Sequence, residues 1–295
     1  MHCAGKMAIS YELDHWKSAM PAITHGELIE VSPNVRRITA TNASRMTGPG
    51  TNSYVIGREQ LALVDPGPAE QAHIDAIIRL CGDKLKWILV THTHQDHSPG
   101  ALPIAEATGA ELIGNVIDND GFQDESFRNA RPLKQDDKIE TDEFTLRALL
   151  SPGHVSNHIC YLVEQDRLLM TGDHVMAGST VVIIPPAGNM KHYIESLERM
   201  LDYDIDYFAP GHGDLIADPH DEIRYLINHR LKREEKVVSA LEGNGPCTVN
   251  ALVPIVYDDV DRALHGMAAK SLHAHLIKLE LDGRANVTND VWQMQ

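Results

Sequence analysis

Short apolar runs bounded by turn residues alternate with segments of helical period along most of the chain. Residues 35–40 (VRRITA), 53–57 (SYVIG) and 61–64 (LALV) have strand character, with turns at Gly48-Pro49-Gly50 and Asp65-Pro66-Gly67. Over 69–80, Ile74, Ile77, Ile78 and Leu80 share a face, which predicts a helix. KWILV at 86–90 predicts a strand buried on both faces. The chain then turns at THTHQDH and enters a helix, predicted to have Ser98 as N-cap and Pro99 at its first position. Further strands are predicted at 111–113, 144–150, 158–163, 167–170 and 205–209, and a helix at 191–201. Strands interleaved with helices indicate an α/β protein with layered sheets.

The pattern changes near residue 218. One long charged helix is predicted from Pro219 to Leu241, broken by Gly243-Asn244-Gly245-Pro246. Helices at 248–257 and 267–282 and a short hairpin through Thr288-Asn289-Asp290 follow. Leu272, Leu276, Ile277, Leu279 and Leu281 are core or interface positions by spacing. The expected division is therefore a first domain over 1–220 and a small second domain over 221–295.

Composition changes this picture little. The 295 residues are 43% hydrophobic and 23% charged, ordinary for a globular protein. No apolar run is long enough to span a bilayer. Met1 to Glu30 has no clean signal-peptide core, so cytoplasmic residence is the expectation. Cys3, Cys81, Cys160 and Cys247 form no Cys-x-x-Cys pair, which argues against a disulfide framework or a cysteine zinc site. A formal net charge of −16 disfavours nucleic acid without excluding a local basic strip. Oligomeric state is not legible.

The 17 histidines are more informative, because several are gathered. His92-Thr93-His94-Gln95-Asp96-His97 directly follows a buried strand. Residues two apart on an extended segment point the same way, so His92 and His94 can reach one metal. Asp96 and His97, where the chain turns, point to a neighbouring position. Imidazole with carboxylate suits zinc, and also iron or manganese. Further ligands are expected at other strand ends, where His154, Asp173 and His212 each stand beside a glycine. His158 and His174 are not expected to be ligands. His2, His15, His25, His73, His192, His220 and His229 lack motif context and are expected at the surface.

These motifs, in order over about residues 35–215, resemble the metallo-β-lactamase fold superfamily. The resemblance implies an αβ/βα sandwich with the site at one edge. It implies that His92, His94 and His154 bind a first metal, that Asp96, His97 and His212 bind a second, and that Asp173 bridges them. Asp65 matches an acid that orients the histidine loop. Two zinc ions per chain would share a hydroxide able to attack a carbonyl or phosphorus centre, with Asp96 handling the proton.

Many β-lactamases of this fold have cysteine where Asp173 stands, and diiron flavoproteins have an acid in place of His94. Glyoxalase II-like enzymes carry a basic helical C-terminus unlike this one. A mononuclear iron dioxygenase would use ligands overlapping His92, His154 and Asp173. Residues 221–295 resemble the winged-helix tail of a branch that includes endoribonuclease-like proteins acting on single-stranded RNA and thioesterases of polyketide pathways. Helix 267–282 lacks the arginine-rich face of a nucleic-acid reader. The cluster Arg230, Lys232, Arg233 and Lys236 is diluted by Glu234 and Glu235, and its plain interpretation is a solvated face with i,i+4 pairs. A hydrolase of small or carrier-bound esters and thioesters is favoured over a single-stranded-RNA endonuclease. A non-enzymatic DNA-binding regulator comes last.

Overall fold

A computed structural model describes residues 23–295, so the N-terminal expectations, with His2, Cys3 and His15, fall outside the described residues. The chain divides into two compact units. Of the described residues, the first holds 23–150, 159–179 and 204–219, and the second holds 151–158, 180–203 and 220–295.

The first unit contains two six-stranded sheets. One comprises β1 (Ile29–Glu30), β2 (Val35–Thr39), β3 (Asn52–Ile56), β4 (Leu61–Val64), β5 (Leu85–Leu89) and β6 (Glu111–Ile113), in that order. The other comprises β7 (Lys138–Glu140), β8 (Thr145–Leu150), β9 (Ile159–Val163), β10 (Leu168–Gly172), β11 (Tyr207–Pro210) and β12 (Ile216–Ala217). Alternate residues of their facing surfaces, among them Tyr54, Val64, Leu89, Tyr161, Met170 and Ala209, form one buried cluster. Helices α1 (Gln71–Cys81) and α2 (Ala101–Thr108) belong to a second cluster, which buries Ile74, Ile77 and Ile104 with Leu63 and Ile88 of the first sheet.

Parallel pairing puts the functional loops at one edge. β4 pairs parallel with β5, and β10 parallel with β11. The C-terminal ends of each pair therefore lie side by side, and those ends lead into Asp65, the 92–97 loop, Asp173 and His212. The Ile159 amide donates to the Thr91 carbonyl at 2.8 Å and the Asn52 amide to the Gly211 carbonyl at 2.8 Å, joining the two sheets at that edge.

One capping expectation fails. Helix α2 begins at Ala101 with Gly100 at its cap, and the Ser98 hydroxyl instead donates to Asp124 at 2.8 Å. His73 is also not a surface residue. It is buried on α1, with Nε2 2.9 Å from the Ser53 hydroxyl, because the apolar face of α1 turns it inward.

The second unit contains α3 (Met190–Met200), α4 (Pro219–Asn244), β13 (Cys247–Thr248), α5 (Val249–Val256), α6 (His265–Leu281), β14 (Ala285–Thr288) and β15 (Val291–Met294). Helix α4 runs through Gly243 and stops at Gly245, whose φ of 70° ends the helical course. β14 and β15 form the expected hairpin, with Asn289 and Asp290 both at positive φ, and β13 adds a third strand. Val237, Leu252, Leu272, Leu276, Leu279 and Trp292 share the core. Leu281, expected at a core or interface position, is exposed at the end of α6. Among the described residues no helix is long and apolar enough to cross a membrane.

Candidate metal centre

Six of the seven expected ligands belong to the first unit and converge at its loop edge. His92, His97 and Asp173 form one group whose ligand atoms all lie within 4.8 Å of one another, and Asp96, His97 and His212 form another. His92 Nε2 lies 2.9 Å from His94 Nδ1. Two nitrogens on one tetrahedral zinc stand about 3.3 Å apart, given Zn–N bonds of about 2.0–2.1 Å, so these two atoms suit a single ion. The Asp173 Oδ1 atom is 3.4 Å from His97 Nε2 and 3.3 Å from His212 Nε2. Asp96 Oδ2 is 3.2 Å from His212 Nε2 and 3.6 Å from His97 Nε2.

The imidazoles are held by their other nitrogens. His97 Nδ1 donates to Asp65 Oδ2 at 2.8 Å. The Thr91 hydroxyl donates to the same carboxylate at 2.9 Å and so accepts from His92 Nδ1 at 3.0 Å. His212 Nδ1 donates to the Gly50 carbonyl at 3.2 Å. Each of these contacts fixes the tautomer with its lone pair on Nε2, the arrangement that metal-ligating histidines adopt. His97 Nε2 is buried with no hydrogen-bond partner. A buried nitrogen left in that state is costly unless something else engages it.

Charge points the same way. Burial pulls the His97 imidazole down, but the carboxylates of Asp96, Asp173 and Asp65 outweigh it and hold it well above the usual range. His212 is likewise raised against its burial, by Asp173 and Asp96. Burial pushes Asp96 up, but His97 and His212 hold its carboxyl below its ordinary value. Acids that favour positive charge at this point would equally favour a bound cation. The donor set, the fixed tautomers and the orphaned nitrogen all fit a metal.

His154 belongs to the second unit, in the 151–158 segment that links β8 to β9. Its Nδ1 donates to the Val182 carbonyl at 2.7 Å, which again makes Nε2 the lone-pair nitrogen. His158 is buried with Nδ1 2.8 Å from the Ser151 hydroxyl, and His174 is also buried.

Three contributors were given no role at the site by the sequence pattern. Thr91 ties Asp65 to His92, and the Asp65 carboxylate also accepts from the Thr91 amide at 2.7 Å. The Gly50 carbonyl orients His212. Gly211 leaves room for the site, since a Cβ there would lie 2.7 Å from His97 Cε1 and 3.1 Å from Asp173 Oδ1. Only the glycine beside His212 carried a sequence signal.

The basic cluster on α4 is only partly a solvated face, with Lys232, Glu235 and Lys236 exposed. Arg230 is buried and donates to the Val181 carbonyl at 2.6 Å. Arg233 binds Asp259 through both guanidinium nitrogens, at 2.7 and 3.1 Å, and stacks on Tyr257. Lys236 pairs with Asp258 at 2.7 Å. Glu234 is buried between Lys278 at 2.9 Å and Arg284 at 3.0 Å.

Comparison with known proteins agrees with this geometry. The Metallo-beta-lactamase superfamily profile matches residues 46–212, and the Beta-lactamase associated winged helix domain profile matches 248–292. A Beta-lactamase-like protein 2 homolog of Drosophila melanogaster is 29% identical over 283 residues, covering 91% of this chain and 94% of that protein. An atrochrysone carboxyl ACP thioesterase of a Cryptosporiopsis species is 25% identical over 291 residues, covering 92% and 87%. A crystal structure of a beta-lactamase domain protein from Burkholderia ambifaria superposes with a TM-score of 0.75 at 22% identity, covering 95% of this chain and 96% of that one, a likeness of fold alone. The chain belongs to the metallo-β-lactamase superfamily, whose members are generally metal-dependent hydrolases, and it carries the superfamily's associated winged-helix domain at its C-terminus.

Proposed function

We propose that this chain is a dinuclear hydrolase of acyl substrates, esters or thioesters, small or carrier-bound. The observation that carries the proposal is the set of histidines anchored at Nδ1, with Nε2 presented beside Asp96 and Asp173. In this reading His92, His94 and His154 hold one ion, Asp96, His97 and His212 hold the other, and Asp173 bridges. Zinc suits the nitrogen and oxygen donors, with iron or manganese as alternatives. Residues 1–220 would form the catalytic domain and 221–295 the winged helix.

Two ions here would supply an acidified water and stabilise the oxyanion of the addition step. The chain supplies the rest. Asp96 is partly exposed, and its lowered carboxyl is ionised at neutral pH, so it can accept a proton from the attacking water and pass it to the leaving group. Asp65 and Thr91 keep His97 and His92 aimed through the cycle.

The thioesterase among the relatives, named for an acyl-carrier-protein substrate, supports the acyl reading. The internal pairing of Arg233 and Lys236 counts against a phosphate-tracking surface on α4. The test is a panel of an acyl thioester, a lactone, a β-lactam, bis(p-nitrophenyl) phosphate and single-stranded RNA. The thioester should be turned over fastest, and RNA cleavage exceeding it would overturn the proposal.

A further inference from the structure

The second unit contains a cavity of about 250 Å³, and none of the seven expected metal ligands lines it. Its walls are mainly apolar and include Val181, Val182, Val260, Leu264 and Met267. Three basic side chains, His229, Arg230 and Arg233, also line it.

Their partners differ. The Arg233 charge is answered by Asp259. Arg230 is only 4% exposed, donates one bond to a neutral carbonyl, and lies over the Tyr193 ring at 5.4 Å. Among the described residues no carboxylate lies within ion-pair distance of it. Its Nε is buried without a hydrogen-bond partner, and so is His229 Nδ1. An unanswered guanidinium is an expensive thing to bury, and an unpartnered imidazole nitrogen beside it adds to the cost. An anion with an apolar body would answer the guanidinium and would accept from Nδ1 of His229 in the tautomer that carries its proton there.

We propose that this cavity is a binding site for a small organic carboxylate, its anionic end on Arg230 and its aliphatic or aromatic body among the valines, Leu264 and Met267. Inorganic phosphate lacks the apolar body, and a neutral alcohol lacks the charge. The volume suits a chain of about six to eight carbons or one aromatic ring, below the usual range for drug-sized ligands.

The experiment is calorimetric titration of the full-length protein, with and without chelator, using hexanoate, benzoate, 1-hexanol and inorganic phosphate. Hexanoate and benzoate should bind at least tenfold more tightly than 1-hexanol and phosphate, unchanged by chelator. Arg230→Met should remove that preference. Because this variant also loses the bond to Val181, a second one, Met267→Trp, fills the cavity from its half-exposed rim and leaves Arg230 in place. It should abolish hexanoate binding with little change in melting temperature. No carboxylate binding at millimolar concentration, equal binding of hexanoate and hexanol, or full binding by folded Met267→Trp would each overturn the proposal.

Discussion

The carboxylate of Asp65 holds the Nδ1 proton of His97 at 2.8 Å and, through its contacts with Thr91, also fixes His92. It does so from a backbone position of positive φ, 54°, immediately after β4. One acid outside the groups of candidate ligands thus orients two imidazoles that the proposal assigns to different ions.

Asp65→Ala should therefore weaken metal binding about 10–100-fold, the usual effect of losing a group that orients a ligand. Asp173→Ala should cost more metal and abolish turnover, because that carboxylate faces both His97 and His212. Competition with a chelator would rank the two variants. Equal metal loss and equal rates would show that the two acids have been given the wrong roles.

Gly211 gives a second test. A methyl group there meets His97 and Asp173 rather than open space. Gly211→Ala should cost about 1–3 kcal/mol of stability through overpacking. It should also lower metal affinity by about tenfold through the displaced imidazole. A variant with wild-type metal affinity would mean the loop yields freely.

The basic residues of α4 make a prediction about RNA. Each phosphate contact on a single strand contributes about −0.7 to the log–log salt slope of binding. Only Lys232 of the four lacks an internal partner, so the slope should be shallower than about −1.4, two contacts' worth. Alanine at Arg230, Lys232, Arg233 and Lys236 should barely change it. A steep slope that collapses in the variant would put the nuclease reading first.

Acid stability follows from two buried histidines. Burial pushes His73 and His275 down to about 4, against an ordinary value of 6.5. Both stay neutral in the folded chain while the unfolded chain takes up protons below about pH 6.5, so stability is full above that pH and falls as pH drops towards 4. The loss is at most about 3 kcal/mol per histidine. Urea midpoints across this window should fall in the wild type and fall less in His275→Leu. Parallel curves would remove His275 from the explanation.

The sequence carried the site better than its surroundings. His92 to His97, Asp173 and His212 were legible because each follows an apolar strand at a turn, and chain direction alone brings such ends to one edge. Thr91 and the Gly50 carbonyl were not, because their roles arise from contacts between strands distant in sequence. Arg230 and Arg233 looked like surface charge on a helix, since nothing local reveals that Val181 and Asp259 will meet them. Spacing gave Leu281 a core or interface position, and the helix ends there and leaves it outside the core.

The most direct test is stepwise reconstitution of metal-free protein with zinc, following the rate of thioester hydrolysis against metal equivalents. Five candidate ligands in two groups that share His97, with His94 beside His92 and His154 as the seventh, predict that the rate climbs to a plateau at two equivalents per chain. A plateau at one equivalent would contradict the dinuclear centre, and no hydrolysis with zinc but oxygen uptake after loading a single iron would favour the dioxygenase instead.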